Sequence, residues 1–240
     1  MGINLLDGKI VEHDDGHSRK VVTDLAKNPT RATLSGKTVH YVLRRVQDRD
    51  HGDDGNPLIY ALKGLRAYTF KEGHREIVLD RARAIIRKIE SDFDGLIICP
   101  SSNAFNDEFG ELLRGAFKLD LIASDWLGKA TVKEAIAELE LTISALKGGK
   151  LRAAENQLRI WRSLPEGTDI SMKRVDNKIR TYVNPIAARE QADLSVYEHV
   201  LVADDLMTSG ATLNSTMLAC ERSGAKNVSG ICFMSRLKVR

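Results

Sequence analysis

The stretch His199-Val200-Leu201-Val202-Ala203-Asp204-Asp205-Leu206-Met207-Thr208-Ser209-Gly210-Ala211-Thr212-Leu213 constrains this chain more than any other. Its continuous apolar run is that of a strand buried on both faces, a central strand of a mainly parallel sheet. Two carboxylates stand where that strand emerges at its carboxyl end, the edge at which open parallel sheets hold ligands. Small residues and hydroxyls follow, ahead of a helix that the spacing carries through Cys220. Backbone N–H groups at a helix N-terminus favour an anion and glycine lets it approach, so this turn has the parts of a phosphate cradle. A β-branched side chain at Gly210 is expected both to obstruct such an anion and to resist a glycine-like backbone. Buried side by side, Asp204 and Asp205 would repel each other unless solvent, a cation or sugar hydroxyls satisfy them.

The remaining pattern agrees with a sheet of this kind. Gly95-Leu96-Ile97-Ile98-Cys99 is a second short apolar run, ended by Pro100-Ser101-Ser102-Asn103 and followed by a helical stretch from Glu108 to Phe117. Strand, loop and helix in that order are the unit of a parallel sheet. Leu119 to Ala123 and Val228 to Met234 read as further strands. Residues 8–22 read as two short strands around a turn at Asp14-Asp15-Gly16, Thr38 to Val46 as a strand, and Gln47 to Pro57 as a polar loop. Leu58 to Phe70 and His74 to Glu90 follow helical spacing. In the second of these Ile77, Val78, Ile85, Ile86 and Ile89 form the expected buried stripe, and Arg81, Arg83, Arg87 and Lys88 the solvated side. Thr131 to Leu146 and Leu151 to Leu164 read as two helices separated by Gly148-Gly149.

The expected fold is therefore α/β, an open, mainly parallel twisted sheet flanked by helices. Residues 1–56 form an N-terminal β-rich extension or hood, and 57–240 the main domain with a helical hairpin inserted at about 128–168.

Composition removes several alternatives. The 36 Lys and Arg against 33 Asp and Glu leave a formal charge of +3, which weakens an extensive nucleic-acid surface while leaving room for a local basic patch. No apolar run reaches the roughly 18 residues of a membrane helix. Met1 to Asp7 lacks a signal peptide's charged start and long apolar stretch, so a cytoplasmic protein with no membrane association is expected. Cys99, Cys220 and Cys232 are odd in number and none are spaced C-x-x-C, which argues against a disulfide framework or a structural zinc. His13 and His17 share an i, i+4 spacing but bracket the Asp-Gly signal, which reads as a solvated turn rather than a metal site. Trp126 and Trp161 read as core residues before base-stacking ones.

The segment around Asp204-Asp205 resembles the phosphoribosyl-diphosphate motif of type I phosphoribosyltransferases, in which apolar residues precede two acids, two variable residues and Thr-Thr/Ser-Gly-x-Thr. Other parts are similar to the ComF-type branch of that family. Pro57-Leu58-Ile59-Tyr60-Ala61-Leu62-Lys63-Gly64 resembles its early Leu-Lys-Tyr-x-Gly region, and Ser223-Gly224-Ala225-Lys226-Asn227-Val228 its Gly-Ala-x-x-Val step into a final strand. The likeness covers residues 57–127 loosely and 196–240 closely, and does not extend to 1–56 or 128–168. Two departures stand out: no cysteine-rich zinc ribbon precedes the domain, and Ser101-Ser102-Asn103, where the family binds pyrophosphate, carries no Lys or Arg.

The resemblance implies that Asp204 and Asp205 serve the ribose hydroxyls of 5-phosphoribosyl 1-diphosphate and help hold its magnesium indirectly, through water or sugar oxygens. Thr208, Ser209, Gly210, Ala211 and Thr212 would take the 5′-phosphate, and Ser101, Ser102 and Asn103 would face the pyrophosphate. The implied reaction is transfer of the phosphoribosyl group to a nucleobase-like acceptor with release of pyrophosphate. Two other readings stay open: a regulator that senses the diphosphate sugar without turnover, and a ComF-like role in DNA uptake or defence in which protein partners or self-association matter most. The basic stretch Ile170 to Arg189 holds Lys173, Arg174, Lys178, Arg180 and Arg189. It reads either as a mobile flap, with Lys173 and Arg174 closing over the pyrophosphate, or as a solvated connection.

Overall fold

The computed structural model describes residues 1–46, 57–101 and 103–235. In chain order its elements are β1 (Gly2–Leu6), β2 (Ile10–Asp14), β3 (Val21–Val22), β4 (Thr30–Leu34), β5 (Lys37–Arg45), α1 (Pro57–Leu62), β6 (Thr69–Phe70), α2 (His74–Ile86) and β7 (Gly95–Ile98). There follow α3 (Ala104–Phe117), β8 (Asp120–Leu121), β9 (Leu127–Lys129), α4 (Val132–Ile143), α5 (Gly148–Arg162), β10 (Ile186–Ala188), β11 (His199–Met207), α6 (Ala211–Arg222) and β12 (Asn227–Ser235).

The main sheet is mixed and mostly parallel. β5, β12, β11, β7 and β8 lie side by side in that order, all parallel, and β3 and β4 pair antiparallel with β5 at one edge. Helices cover both faces. Val78, Leu79, Phe105 and Phe109 from α2 and α3 pack with Leu96, Leu201, Ala203 and Phe233 on one face. Leu213, Met217 and Cys220 of α6 pack with Ile97, Val200, Val202 and Cys232 on the other. Alternate residues of β7 and β11 thus feed opposite cores, which is why both strands read as unbroken apolar runs.

The chain leaves β7 through α3 toward β8, and leaves β11 through α6 toward β12, in opposite directions along the sheet. Adjacent strands whose connections diverge in this way open a crevice at their carboxyl ends, the usual ligand position in such sheets. Here the crevice lies between Ile98 and Asp204, since Ala203 is the register partner of Ile98.

A third apolar cluster joins α4 and α5 to the segment after them, through Val132, Leu139, Ala154, Leu158, Trp161, Ile170, Val175, Ile179 and Val183. α4 starts at a reciprocal cap: Glu134 N–H donates to Thr131 Oγ1 at 3.3 Å, and Thr131 N–H to Glu134 Oε2 at 2.7 Å.

Several expectations from the sequence are corrected. The first hairpin turns at Asp7-Gly8, with φ of 47° and 73°, and pairs β1 with β2; two left-handed residues form the turn that matches strand twist. Asp14-Asp15-Gly16 instead makes a local turn in which Gly16 N–H donates to Asp14 Oδ1 at 2.6 Å. Helix over 58–70 ends at Leu62, because Gly64, Arg66 and Ala67 all have positive φ and β6 then joins β2. Ile77 is exposed rather than part of the stripe. β4, β9 and β10 are short strands without a distinct sequence pattern. The N-terminal strands are shared with the rest of the chain: β5 is the parallel neighbour of β12 and β3 and β4 pair with it, while β1 and β2 form a sheet with β6 from beyond residue 56. Of the loop expected over 47–57, residues 47–56 lie outside the described residues. No helix among the described residues is long and apolar enough to cross a membrane.

Candidate functional site

β11 carries the acid pair to the crevice. Asp205 is buried, and its carboxylate forms an ion pair with the Lys63 ammonium. Asp204 is half-buried, and its Oδ1 accepts from Asp205 N–H at 2.9 Å. Burial and the neighbouring Asp205 carboxylate push the Asp204 carboxyl up to about 7, an effect that Lys63 and the Asp205 N–H oppose without cancelling. Asp204 therefore holds its proton well above the usual carboxylate range until a cation or a donor-rich ligand arrives.

Lys63 follows α1, and its carbonyl accepts from Asn103 Nδ2 at 3.5 Å. One residue thus ties together the three segments that meet at the crevice: the end of α1, the loop after β7 and the end of β11. Replacing Lys63 with Met leaves a buried carboxylate without its partner, so we expect a loss of about 1–3 kcal/mol in stability, measured by urea unfolding at neutral pH. A stability unchanged by K63M would remove Lys63 from this role.

The loop after β11 is held by its neighbours. Gly210 has φ 77° and ψ 6°, the left-handed region that glycine favours, and stands at the N-cap of α6 without a side-chain cap. A Cβ there would lie 2.9 Å from Leu34 Cδ2 and 3.3 Å from Met207 Sδ. The left-handed backbone is the one expected of a glycine here, and crowding by Leu34 of the β4–β5 hairpin is a further obstacle to a larger side chain that the sequence does not reveal. Thr208 is exposed, Ser209 and Thr212 half-buried and Ala211 buried. Ser209 Oγ accepts from Ala211 N–H at 3.4 Å.

Ser101, Thr212 and Lys173, from three distant parts of the sequence, line one cleft of about 590 Å³ together with Lys129, Ile170, Ser171, Met172, Pro185 and Ile186. Among the described residues the lining holds two lysines and no carboxylate. Lys129 is exposed on β9, and no pattern in the sequence marks it because the strand is only three residues long. Lys63 stands in the Leu62-Lys63 step of the sequence, where a lone lysine among helical residues gives no sign that it will meet an acid.

Two expected site residues are placed differently. Asn103 caps α3, its Oδ1 accepting from Phe105 N–H at 3.0 Å, so its side chain is engaged by the protein. Arg174 is exposed and does not line the cleft; with the Gln157 amide turned to satisfy both its ends, Gln157 donates to the Arg174 carbonyl at 3.2 Å. Ser102 lies outside the described residues. The basic stretch is also not a free flap, because Ile170, Val175, Ile179 and Val183 anchor it in the core of the helical hairpin.

The donor set suits a magnesium ion that keeps its waters and is held mostly by substrate oxygens, because the crevice offers two adjacent carboxylates and one of them is paired with Lys63. Among the described residues no cluster of three or more His, Cys, Asp or Glu could cage a metal. Cys99, Cys220 and Cys232 are buried free thiols. Burial pushes all three up, Cys220 to about 12, so none is a ready nucleophile. Trp126 and Trp161 are buried, and Trp126 Nε1 donates to the Ala123 carbonyl at 2.9 Å. No family model and no curated protein matches the chain.

Proposed function

We propose that the chain binds 5-phosphoribosyl 1-diphosphate at this crevice and transfers the phosphoribosyl group to a nucleobase-like acceptor, releasing pyrophosphate. The observation that carries the reading is the convergence of Ser101, Thr212 and Lys173 on one cleft, whose lining does not include Asp204 or Asp205. The 5′-phosphate sits on the amides that open α6, where backbone dipoles favour an anion. The ribose hydroxyls donate to Asp204 and Asp205. The diphosphate lies toward Ser101, with Lys129 and Lys173 supplying the positive charge that the loop after β7 lacks. Magnesium, when bound, offsets further charge on the diphosphate. The acceptor nitrogen bonds to the anomeric carbon as the bond to the diphosphate oxygen breaks, and its electron pair leaves with pyrophosphate. The protein contributes position and electrostatics rather than a covalent nucleophile.

Calorimetry with the diphosphate sugar and magnesium tests binding, and release of pyrophosphate across a panel of nucleobases tests transfer. Absence of binding rejects the reading. Lys129→Ala with Lys173→Ala is expected to weaken the diphosphate sugar at least about tenfold more than ribose 5-phosphate, because a charged hydrogen bond contributes about 1.5–3 kcal/mol and only the former ligand carries the diphosphate. Equal losses for both ligands would reject the assignment of the lysines.

A further inference from the structure

We propose that the pocket beside β4 and the turn after α2 is a second binding site, for a small oxyanion of phosphate type held by His40, Arg31 and Lys88. The pocket has a volume of about 310 Å³ and is lined by Pro29, Thr30, Arg31, His40, Lys88, Ile89 and Glu90. It stands apart from the crevice, beside the turn that leads toward the amino end of β7, so it is independent of the reading given for the acid pair.

His40 is the residue that calls for a ligand. It is only 6% exposed, lines the pocket, and has no hydrogen-bond partner among the described residues. The ring nitrogens of His40 are not among the sealed, unsatisfied atoms of the fold, so with no protein partner they are open to whatever occupies the pocket, whereas Thr30 Oγ1 on the same lining is fully buried and without a partner. On its other side the ring meets the Phe93 ring nearly at right angles, with centroids 6.5 Å apart. Phe93 offers no acceptor or polar donor to either ring nitrogen, so a partner, water or a bound solute, reaches them through the pocket.

The charges around the ring favour an anion. Arg31 is the cross-strand register partner of His40, so the two side chains share a face of the sheet. Arg31 is exposed and has no carboxylate partner among the described residues. Lys88 Nζ donates to the Leu25 carbonyl and, at 2.9 Å, to the Asn28 carbonyl. Those neutral acceptors fix the ammonium at the pocket wall without neutralising it, and one N–H remains. Glu90 is the opposing charge, exposed at the rim. His199 lies beyond Phe93 and faces Asp92 at 3.3 Å.

Burial, then Arg31, then His199 push His40 down to about 4, so the ring is neutral in the free protein. A seated oxyanion reverses that balance: it accepts from His40, Arg31 and Lys88, and charge-assisted bonds of this kind are about twice as strong as neutral ones.

The test follows the His40 ring by NMR while inorganic phosphate is added across the acid and neutral range, with chloride at matched ionic strength as control. The proposal expects a saturable shift of the His40 signals and a rise of its pKa by at least about one unit, equivalent to tenfold tighter binding by the protonated ring. Arg31→Gln and Lys88→Gln should each weaken binding about tenfold. Arg31 is exposed, so its variant keeps the test valid even if losing Lys88 loosens the Leu25–Asn28 turn. Ribose 5-phosphate in a parallel arm separates the sources: inorganic phosphate alone moving the ring identifies a free anion, and both moving it identifies a phosphate-monoester site. No saturable shift, or a shift unaltered in R31Q, overturns the proposal.

Discussion

Asp204→Asn is expected to raise the unfolding temperature at pH 8 and, in the same protein, to abolish measurable binding of 5-phosphoribosyl 1-diphosphate. The Asp204 carboxyl is raised from 3.8 to about 7 by burial and by Asp205. Its protonated form is therefore the one the fold favours, and between those two values the native state holds more protons than the unfolded chain. Stability falls as pH rises through that window and reaches its lower plateau above about 7. Asparagine keeps the shape and discards the charge, so the variant and the parent should unfold alike near pH 4 and diverge above it. The gap at pH 8 is on the order of 2–4 kcal/mol, or on the order of 10 °C for a chain of this size. Thermal unfolding at the two pH values checks the first half, and calorimetry with magnesium the second. A constant gap at both pH values would sink the electrostatic account, and retained affinity would sink the site. Asp205→Asn should differ in sign, because that residue already has Lys63 as its partner.

Gly210→Val should cost far more than Ser209→Ala. A residue with a Cβ pays about 1–2 kcal/mol in the left-handed region, more for a β-branched one, and forcing it against Leu34 adds about 1–3 kcal/mol of overpacking. Ser209→Ala removes one hydroxyl whose 3.4 Å bond to Ala211 N–H is long, a loss of about 0.5–1.5 kcal/mol at most. The damage should appear in folding before it appears in affinity, because the crowding is with the β4–β5 hairpin. Leu34→Ala gives the diagnostic cycle: in that background the increment from Gly210→Val should shrink by at least about 1 kcal/mol. Strict additivity would show that the hairpin does not set the shape of the loop.

The central strand, its acid pair, the glycine turn and the flanking helix were legible because each writes a local signal: a two-sided apolar run, charges at its end, a small-residue turn, and helical spacing. β7 and the α4–α5 hairpin were legible for the same reason. What escaped was tertiary. Nothing in Thr30 to Leu34 declares an edge strand, since its half-buried pattern depends on pairing with β5. The two Asp-Gly signals compete, and Asp7-Gly8 forms the hairpin because Ile3 and Val11 on its arms are both fully buried. The basic stretch was read through its lysines and arginines, whereas Ile170, Val175, Ile179 and Val183 decide where it lies. Lys129 and Lys63 meet the site only through folding, one from a minimal strand and one from the end of a short helix.

The parallel pairing of β5 with β12 joins segments from nearly opposite ends of the chain, with His40 opposite Ile231. During synthesis on the ribosome, β5 emerges early yet has no parallel neighbour until residues 227–235 follow. Until then Val42 and Leu43 lack the strand that covers them, and the nascent chain presents an open edge. Assembly of the sheet is thus a late, long-range event, the kind that folds slowly and relies on protection from aggregation. The Leu34 contact on Gly210 is under the same timing, so the loop that follows the acid pair takes its final shape only after α6 has delivered β12 to β5.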